Sequence, residues 1–214
     1  MLKVDAPGPW KWHGGVLASD GCIYCVPQFA EQVLKIDTAT DEISLFGGPF
    51  LGKNFGSSVS PWIVTLDALE GYRVPGPVQD PAVLPYLEYE GQSHYDVALE
   101  VEIIPENGQG LTVCRSNFKH MYWNMRQQLA HHTVNGCNIN AGDMMASGTI
   151  SGPEKGSFGS MLEISWRGTE PVQMPDGSER KFILNGDTVR MTGFASKPGA
   201  PRIGFGAVDG KVTE

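Results

Sequence analysis

The chain has 214 residues, of which 41% are hydrophobic and 19% charged, and its formal net charge at pH 7 is −8. This composition predicts a globular protein with one sizeable core, or with one core and a small appendage. The acidic surface argues against nucleic acid or an anionic membrane as a partner. Neither a signal peptide nor a run of about 18 apolar residues is visible, so we expect a cytoplasmic protein.

The first module covers residues 1–47. The pattern predicts four short strands separated by polar turns: Val16–Leu17, Cys22–Val26, Val33–Ile36 and Ile43–Phe46. Their spacing resembles one blade of a β-propeller, but the repeat occurs once, and a propeller needs about four blades to close. We therefore predict a small antiparallel β module, with Gly47-Gly48 as the junction to the rest of the chain.

The four cysteines are Cys22, Cys25, Cys114 and Cys137. Cys22 and Cys25 lie in a strand-like segment, where residues i and i+3 point to opposite faces. A zinc site would also need a second pair nearby. We expect reduced thiols.

The segment that follows the junction, GPFLGKNFGSSVSPW, carries Lys53 between two turn-forming stretches, and hydroxyls at Ser57 and Ser58. A lysine there can donate to a developing oxyanion, and a hydroxyl oxygen can ligate a hard cation. On residue pattern alone, an ordinary surface lysine is the interpretation of Lys53 that we favour.

A strand is predicted over Val97 to Ile104, where apolar residues alternate with Glu100 and Glu102. The Glu-x-Glu pair looks like half a metal site, but a solvated strand face is the alternative that we favour. Further along, Ser116-Asn117 is a candidate N-cap for an amphipathic helix over Phe118 to His132. His131 and His132 suit the C-terminus of that helix, or an interface, better than a catalytic role.

The stretch from Gly142 to Trp166 is predicted as two β-like segments that flank a glycine-rich loop. In a strand, Leu162, Ile164 and Trp166 would share the apolar face and Glu163 would project from the other. The glycines at 148, 152, 156 and 159 permit positive φ or close backbone approach around Thr149. This would suit the wall of an active site, and a solvent-facing hairpin is the alternative.

Three more strands are predicted in the last third of the chain: Lys181–Leu184, Thr188–Phe194 and Arg202–Ala207. An Asn185-Gly186-Asp187 turn separates the first two. The strand-rich pattern with one main helix predicts an α+β fold dominated by mixed or antiparallel sheet.

Four segments resemble, in order, the C-terminal part of the fumarylacetoacetate hydrolase family. They are GPFLGKNFGSSVSPW, SNFKHMYWNMRQQLAHHTVNGCN, the stretch from Gly142 to Trp166, and RIGFG from Arg202 to Gly206. The resemblance implies that residues 48–214 form the family's mixed β-roll catalytic domain, here incomplete. It also implies metal-dependent hydrolysis of a carbon–carbon bond in fumarylacetoacetate, the last step of tyrosine and phenylalanine catabolism, by a cytoplasmic homodimer.

The same resemblance assigns roles to individual residues. Glu163 would orient and charge a histidine base, Thr149 would bind substrate, and Lys53 would be the oxyanion-side donor beside the metal. Ser57 stands at the metal, where the family usually has threonine, and keeps the oxygen. The implied cofactor is Mg²⁺ or Ca²⁺.

In the family, the histidine base and the carboxylate metal ligands, including a Glu-x-Glu pair, precede the GPFLGKNFG segment. By order along the chain, Glu100 and Glu102 match a different strand, so we do not assign them to the metal. We therefore expect a truncated or fused form with an incomplete metal site and impaired activity. The alternatives are a non-catalytic relative that keeps a fold or dimerisation surface, and a propeller-type binding protein with an unrelated tail.

Overall fold

The computed structural model describes residues 12–17, 20–27, 33–40, 43–46 and 57–213. The chain divides into two compact units, residues 1–57 and residues 58–214. The boundary that the sequence predicts at Gly47-Gly48 lies outside the described residues and stays a prediction.

The first unit contains one antiparallel sheet with the strands in chain order. Its strands are β1 (Trp12–Leu17), β2 (Cys22–Pro27), β3 (Val33–Asp37) and β4 (Ile43–Phe46). Gly21 takes a φ of +79° in the turn between β1 and β2, a conformation that favours glycine. Asp20 accepts a hydrogen bond from the Cys22 amide in the same turn, at 3.0 Å. Whether this sheet is a propeller-like repeat stays a prediction.

The second unit is built on a four-stranded antiparallel sheet, in the order β12-β11-β7-β8. Its strands are β7 (Ala98–Ile104), β8 (Leu111–Asn117), β11 (Thr188–Ala195) and β12 (Ile203–Lys211). Two short antiparallel pairs accompany it: β5 (Arg73–Val74) with β6 (His94–Tyr95), and β9 (Val172–Gln173) with β10 (Glu179–Arg180). The described helices are short: α1 (Leu66–Leu69), α2 (Met125–Thr133) and α3 (Met161–Ile164). The sheet-rich α+β class is confirmed.

The hydrophobic core of the second unit lies between α1, the segment after it and the main sheet. It consists of Leu69, Tyr72, Tyr95, Val97 and Ala195. The chain before α1 is fixed on β12: Ser60 Oγ donates to the Phe205 carbonyl at 2.6 Å, and Gly206 leaves no room for a Cβ beside the Trp62 ring. Two segments that are distant in sequence thus pack side by side.

The helix predicted over Phe118 to His132 is shorter than expected. Residues Phe118–His120 form a separate 3-10 turn, and α2 begins only at Met125, because the Asn124 side chain caps it. Asn124 and Gln127 exchange side-chain to backbone hydrogen bonds, at 3.0 and 3.2 Å. The buried side chain of α2 is Gln127, whereas Met125 and Leu129 from the predicted apolar face are 36% and 45% exposed.

Two of the strand predictions are also wrong. Residues 181–184 are not in a strand, because the chain turns after β10 to bring Asp187 back onto Arg180. The β-like segments predicted within residues 142–166 are also absent: most of the stretch is irregular, and its helical parts are a 3-10 turn at Lys155–Ser157 and α3.

Candidate functional site

An open cleft of about 520 Å³ lies between the segment before α2 and the glycine-rich stretch. Its lining residues are His120, Met121, Tyr122, Trp123, Thr149, Ser151, Ser160, Leu162 and Glu163. The structure thus brings Thr149 and Glu163, the two predicted site residues of this stretch, to one cleft. Lys53 lies outside the described residues, and Ser57 is exposed at the end of the first unit.

Glu163 lies on helix α3 and not on a strand, because the helix has a strong local start. The Ser160 side chain is the N-cap and accepts from the Glu163 amide at 3.3 Å. The face that a strand would have buried is open, with Leu162 52% and Trp166 65% exposed. An apolar-polar alternation over the six residues from Met161 to Trp166 is a weaker signal for a strand than the Ser160 N-cap is for the start of a helix.

The carboxylate of Glu163 is held by two serine hydroxyls. Ser151 Oγ lies 2.9 Å from both carboxylate oxygens, and Ser160 Oγ donates to Oε2 at 2.7 Å. Sequence analysis missed both serines. The Ser160-x-x-Glu163 spacing is a known helix-start signature that could have revealed one of them, but no local pattern points to Ser151.

Cys114 on β8 is a buried thiol whose pKa responds to the Glu163 charge. Burial raises the pKa of the Cys114 thiol, and the negative charge of Glu163 raises it further. Because Cys114 is only 3% exposed, it is a buried thiol and not a nucleophile open to solvent.

The glycines of this stretch serve different purposes. Gly148 takes a φ of +79°, and a Cβ on Gly159 would lie 2.6 Å from the Ile150 carbonyl oxygen and 2.9 Å from Thr149 Cγ2. A Cβ on Gly152 would lie 2.5 Å from Ser157 Oγ and 3.0 Å from His120 Cδ2, whereas a Cβ on Gly156 would meet open space. Close backbone approach therefore shapes the cleft at Gly159 and Gly152.

Among the described residues, no group of three or more His, Cys, Asp or Glu side chains is placed to hold a metal ion. Glu100 and Glu102 form ion pairs with Arg115 and Arg190, at 3.2 and 3.9 Å. His131 lies in the last turn of α2, where its Nδ1 is 3.0 Å from the Tyr86 hydroxyl, and it does not line the cleft.

Comparison with known proteins identifies the kind of domain. Residues 34–213 match the family described as fumarylacetoacetate hydrolase C-terminal. The match begins inside the segment predicted as a propeller-like repeat, and no comparison supports such a repeat. Among the described residues, no helix is long and apolar enough to cross a membrane.

The chain is similar to proteins named fumarylacetoacetase from several organisms. It is 55% identical to the one from Homo sapiens over 166 residues, 54% to that from Caenorhabditis elegans over 167, and 47% to that from Arabidopsis thaliana over 166. Each match covers 77% of this chain but 39% of the relative. The chain thus spans about two fifths of the length of these relatives.

Proposed function

Because the chain belongs to the fumarylacetoacetate hydrolase family, we propose that it contributes to hydrolysis of the carbon–carbon bond of fumarylacetoacetate, giving fumarate and acetoacetate. This is the last step of tyrosine and phenylalanine catabolism. The observation that carries the proposal is the cleft that Thr149 and Glu163 both line. The identity of 47–55% to proteins named fumarylacetoacetase supports it.

Cleavage of a β-diketone by water needs a base that removes a proton from the water and donors that stabilise the departing enolate. In the proposed mechanism, the Glu163 carboxylate accepts a hydrogen bond from the imidazole base and favours its protonated form. The Thr149 hydroxyl hydrogen-bonds the substrate, and the Lys53 ammonium stabilises the developing oxyanion.

We propose Mg²⁺ or Ca²⁺ as the cofactor, with Lys53 and Ser57 beside it. Since the described residues lack a carboxylate cluster, most ligands would have to come from elsewhere, and we propose that the 214 residues alone hydrolyse the substrate poorly. A cytoplasmic homodimer is the proposed assembly.

The test is a diketone-absorbance assay with added Mg²⁺ or Ca²⁺. We expect turnover near background for the 214-residue chain, and clear turnover once the upstream segment of the human relative is joined to it. In that active form, Glu163→Gln should lower kcat by about 100-fold or more, as expected when the partner of a general base is removed. Lys53→Ala should abolish turnover in the same active form.

The matched control is Glu170→Gln, because the Glu170 carboxylate is 53% exposed, pairs with Lys155 and does not line the cleft. This variant should keep full activity. Full activity in Glu163→Gln would refute the role of Glu163, and metal-dependent turnover by the 214 residues alone would refute the proposed impairment.

A further inference from the structure

The Glu163 side chain is half-buried, and a glutamate side chain ordinarily samples several rotamers. Its two carboxylate oxygens are bonded by hydroxyls from two different segments: Ser151 at 2.9 Å to both oxygens, and Ser160 at 2.7 Å to Oε2. A hydroxyl hydrogen bond to an ionised carboxylate is about twice as strong as one between neutral groups, and Ser151 shares its single hydrogen between the two oxygens. Together the two serine hydroxyls oppose rotation of the carboxylate.

Both serines are themselves fixed. Ser151 Oγ accepts a hydrogen bond from the Gly159 amide at 3.0 Å, so its own hydrogen is left to point at Glu163. Ser160 is held as the N-cap of α3. An ionised carboxylate only accepts hydrogen bonds, and the described hydroxyls therefore act on it as donors from two anchored positions.

We propose that Ser151 and Ser160 are positioning residues that hold the Glu163 carboxylate in a single orientation towards the cleft. This deepens the proposed function, because an oriented carboxylate fixes the direction of the imidazole that it contacts. The purely structural alternative is that Ser151 joins two parts of the loop and Ser160 only caps α3. In that case the position of the carboxylate would not depend on either hydroxyl.

The pKa of the Cys114 thiol can report a displacement of the Glu163 carboxylate, and its measurement needs neither substrate nor metal. Because the Glu163 charge contributes to the raised pKa of the Cys114 thiol, displacing the carboxylate lowers that pKa. The titration is followed by the ¹³Cβ shift of labelled cysteine in the full chain, with Cys114→Ser as the assignment standard. The Glu163→Gln variant gives the change in the Cys114 pKa that follows from complete loss of the carboxylate charge.

The expected result is that Ser151→Ala and Ser160→Gly each lower the Cys114 pKa in the same direction as Glu163→Gln, and that Ser151→Thr and Ser160→Thr restore it. Glycine is chosen at position 160 because it costs an N-cap only a few tenths of a kcal/mol. The control is Ser157→Ala: this buried hydroxyl of the same loop bonds only the Glu154 backbone, at 2.7 and 3.1 Å, and its loss should leave the titration unchanged.

The proposal is overturned if Ser151→Ala and Ser160→Gly titrate as the parent chain does. It is equally overturned if both serine variants keep the parent kcat in the active extended form, because the orientation of the carboxylate would then not depend on either hydroxyl. In the active extended form, both serine variants should lower kcat about tenfold with little change in KM. Absence of all hydrolysis, with the Cys114 titration responding as expected, would remove the proposed function and leave the positioning role intact.

Discussion

At the scale of single residues, the most buried ion pair among the described side chains is that between Arg180 and Asp187. The guanidinium donates to both carboxylate oxygens, at 2.8 and 2.9 Å, and the Leu184 amide adds a bond of 2.9 Å. The two side chains are only 9% and 2% exposed. Burial by itself would raise the pKa of Asp187, but the bonds from Arg180 and Leu184 outweigh it and hold that pKa below its usual value.

We predict that Asp187→Asn destabilises the protein by about 3 kcal/mol, because it leaves the buried Arg180 charge without a counter-charge. Urea denaturation measures the change. The matched control is Asp209→Asn, since Asp209 forms a similar two-bond pair with Arg190 but both side chains are 46% exposed. There the cost should stay below about 1 kcal/mol, and equal costs at both sites would contradict the argument from burial.

The same carboxylate predicts a pH dependence. Its pKa is lowered in the folded state relative to about 3.9 in an unfolded chain. The stabilisation is therefore complete above about pH 4 and is lost as the pH falls towards the folded-state pKa. Urea denaturation at a series of pH values measures the free energy of unfolding of the parent chain and of Asp187→Asn. The difference between the two should be constant from pH 7 to 5 and should shrink below pH 4. A constant difference down to pH 2 would contradict this.

At the scale of elements, the glycine-rich stretch depends on close backbone contact at one position. We predict that Gly159→Ala costs about 1–3 kcal/mol, because its Cβ would lie 2.6 Å from the Ile150 carbonyl oxygen and would displace Thr149 from the cleft. The control is Gly156→Ala, where nothing lies within 4 Å of the added carbon. Thermal denaturation and amide chemical shifts around Thr149 should change for the first variant and not for the second.

At the scale of the whole molecule, the core cluster of the second unit is drawn entirely from residues after Ser58. We predict that a fragment of residues 58–214 folds on its own and reproduces the amide spectrum of the full chain for the core residues. The physical reason is that Leu69, Tyr95 and Ala195 bury their surface within this unit. A fragment spectrum with the narrow dispersion of an unfolded chain would show that residues 1–57 are required.

Local pattern was sufficient for three of the four strands of the main sheet, whereas β8 was not predicted as a strand. The alternation over Val97 to Ile104 predicts β7, and β11 and β12 follow the predicted strands with extensions at their ends. Regular strands can be predicted because each residue's face is set by its own place in a period of two. The beginning of α2 was missed because its stabilising side chain, Gln127, is polar and finds partners 40 and 48 residues away, at Leu87 and Gln79.

The sequence by itself determined the sheet-rich class, because alternating strand patterns lie within single segments. It also gave the family, with Thr149 and Glu163 as candidate site residues, because four segments resemble that family in the same order along the chain. Only the tertiary structure decided that Glu163 lies on a helix and that Ser151, 12 residues earlier in the chain, bonds its carboxylate. Such partners depend on how loops fold back on one another, which no local periodicity records.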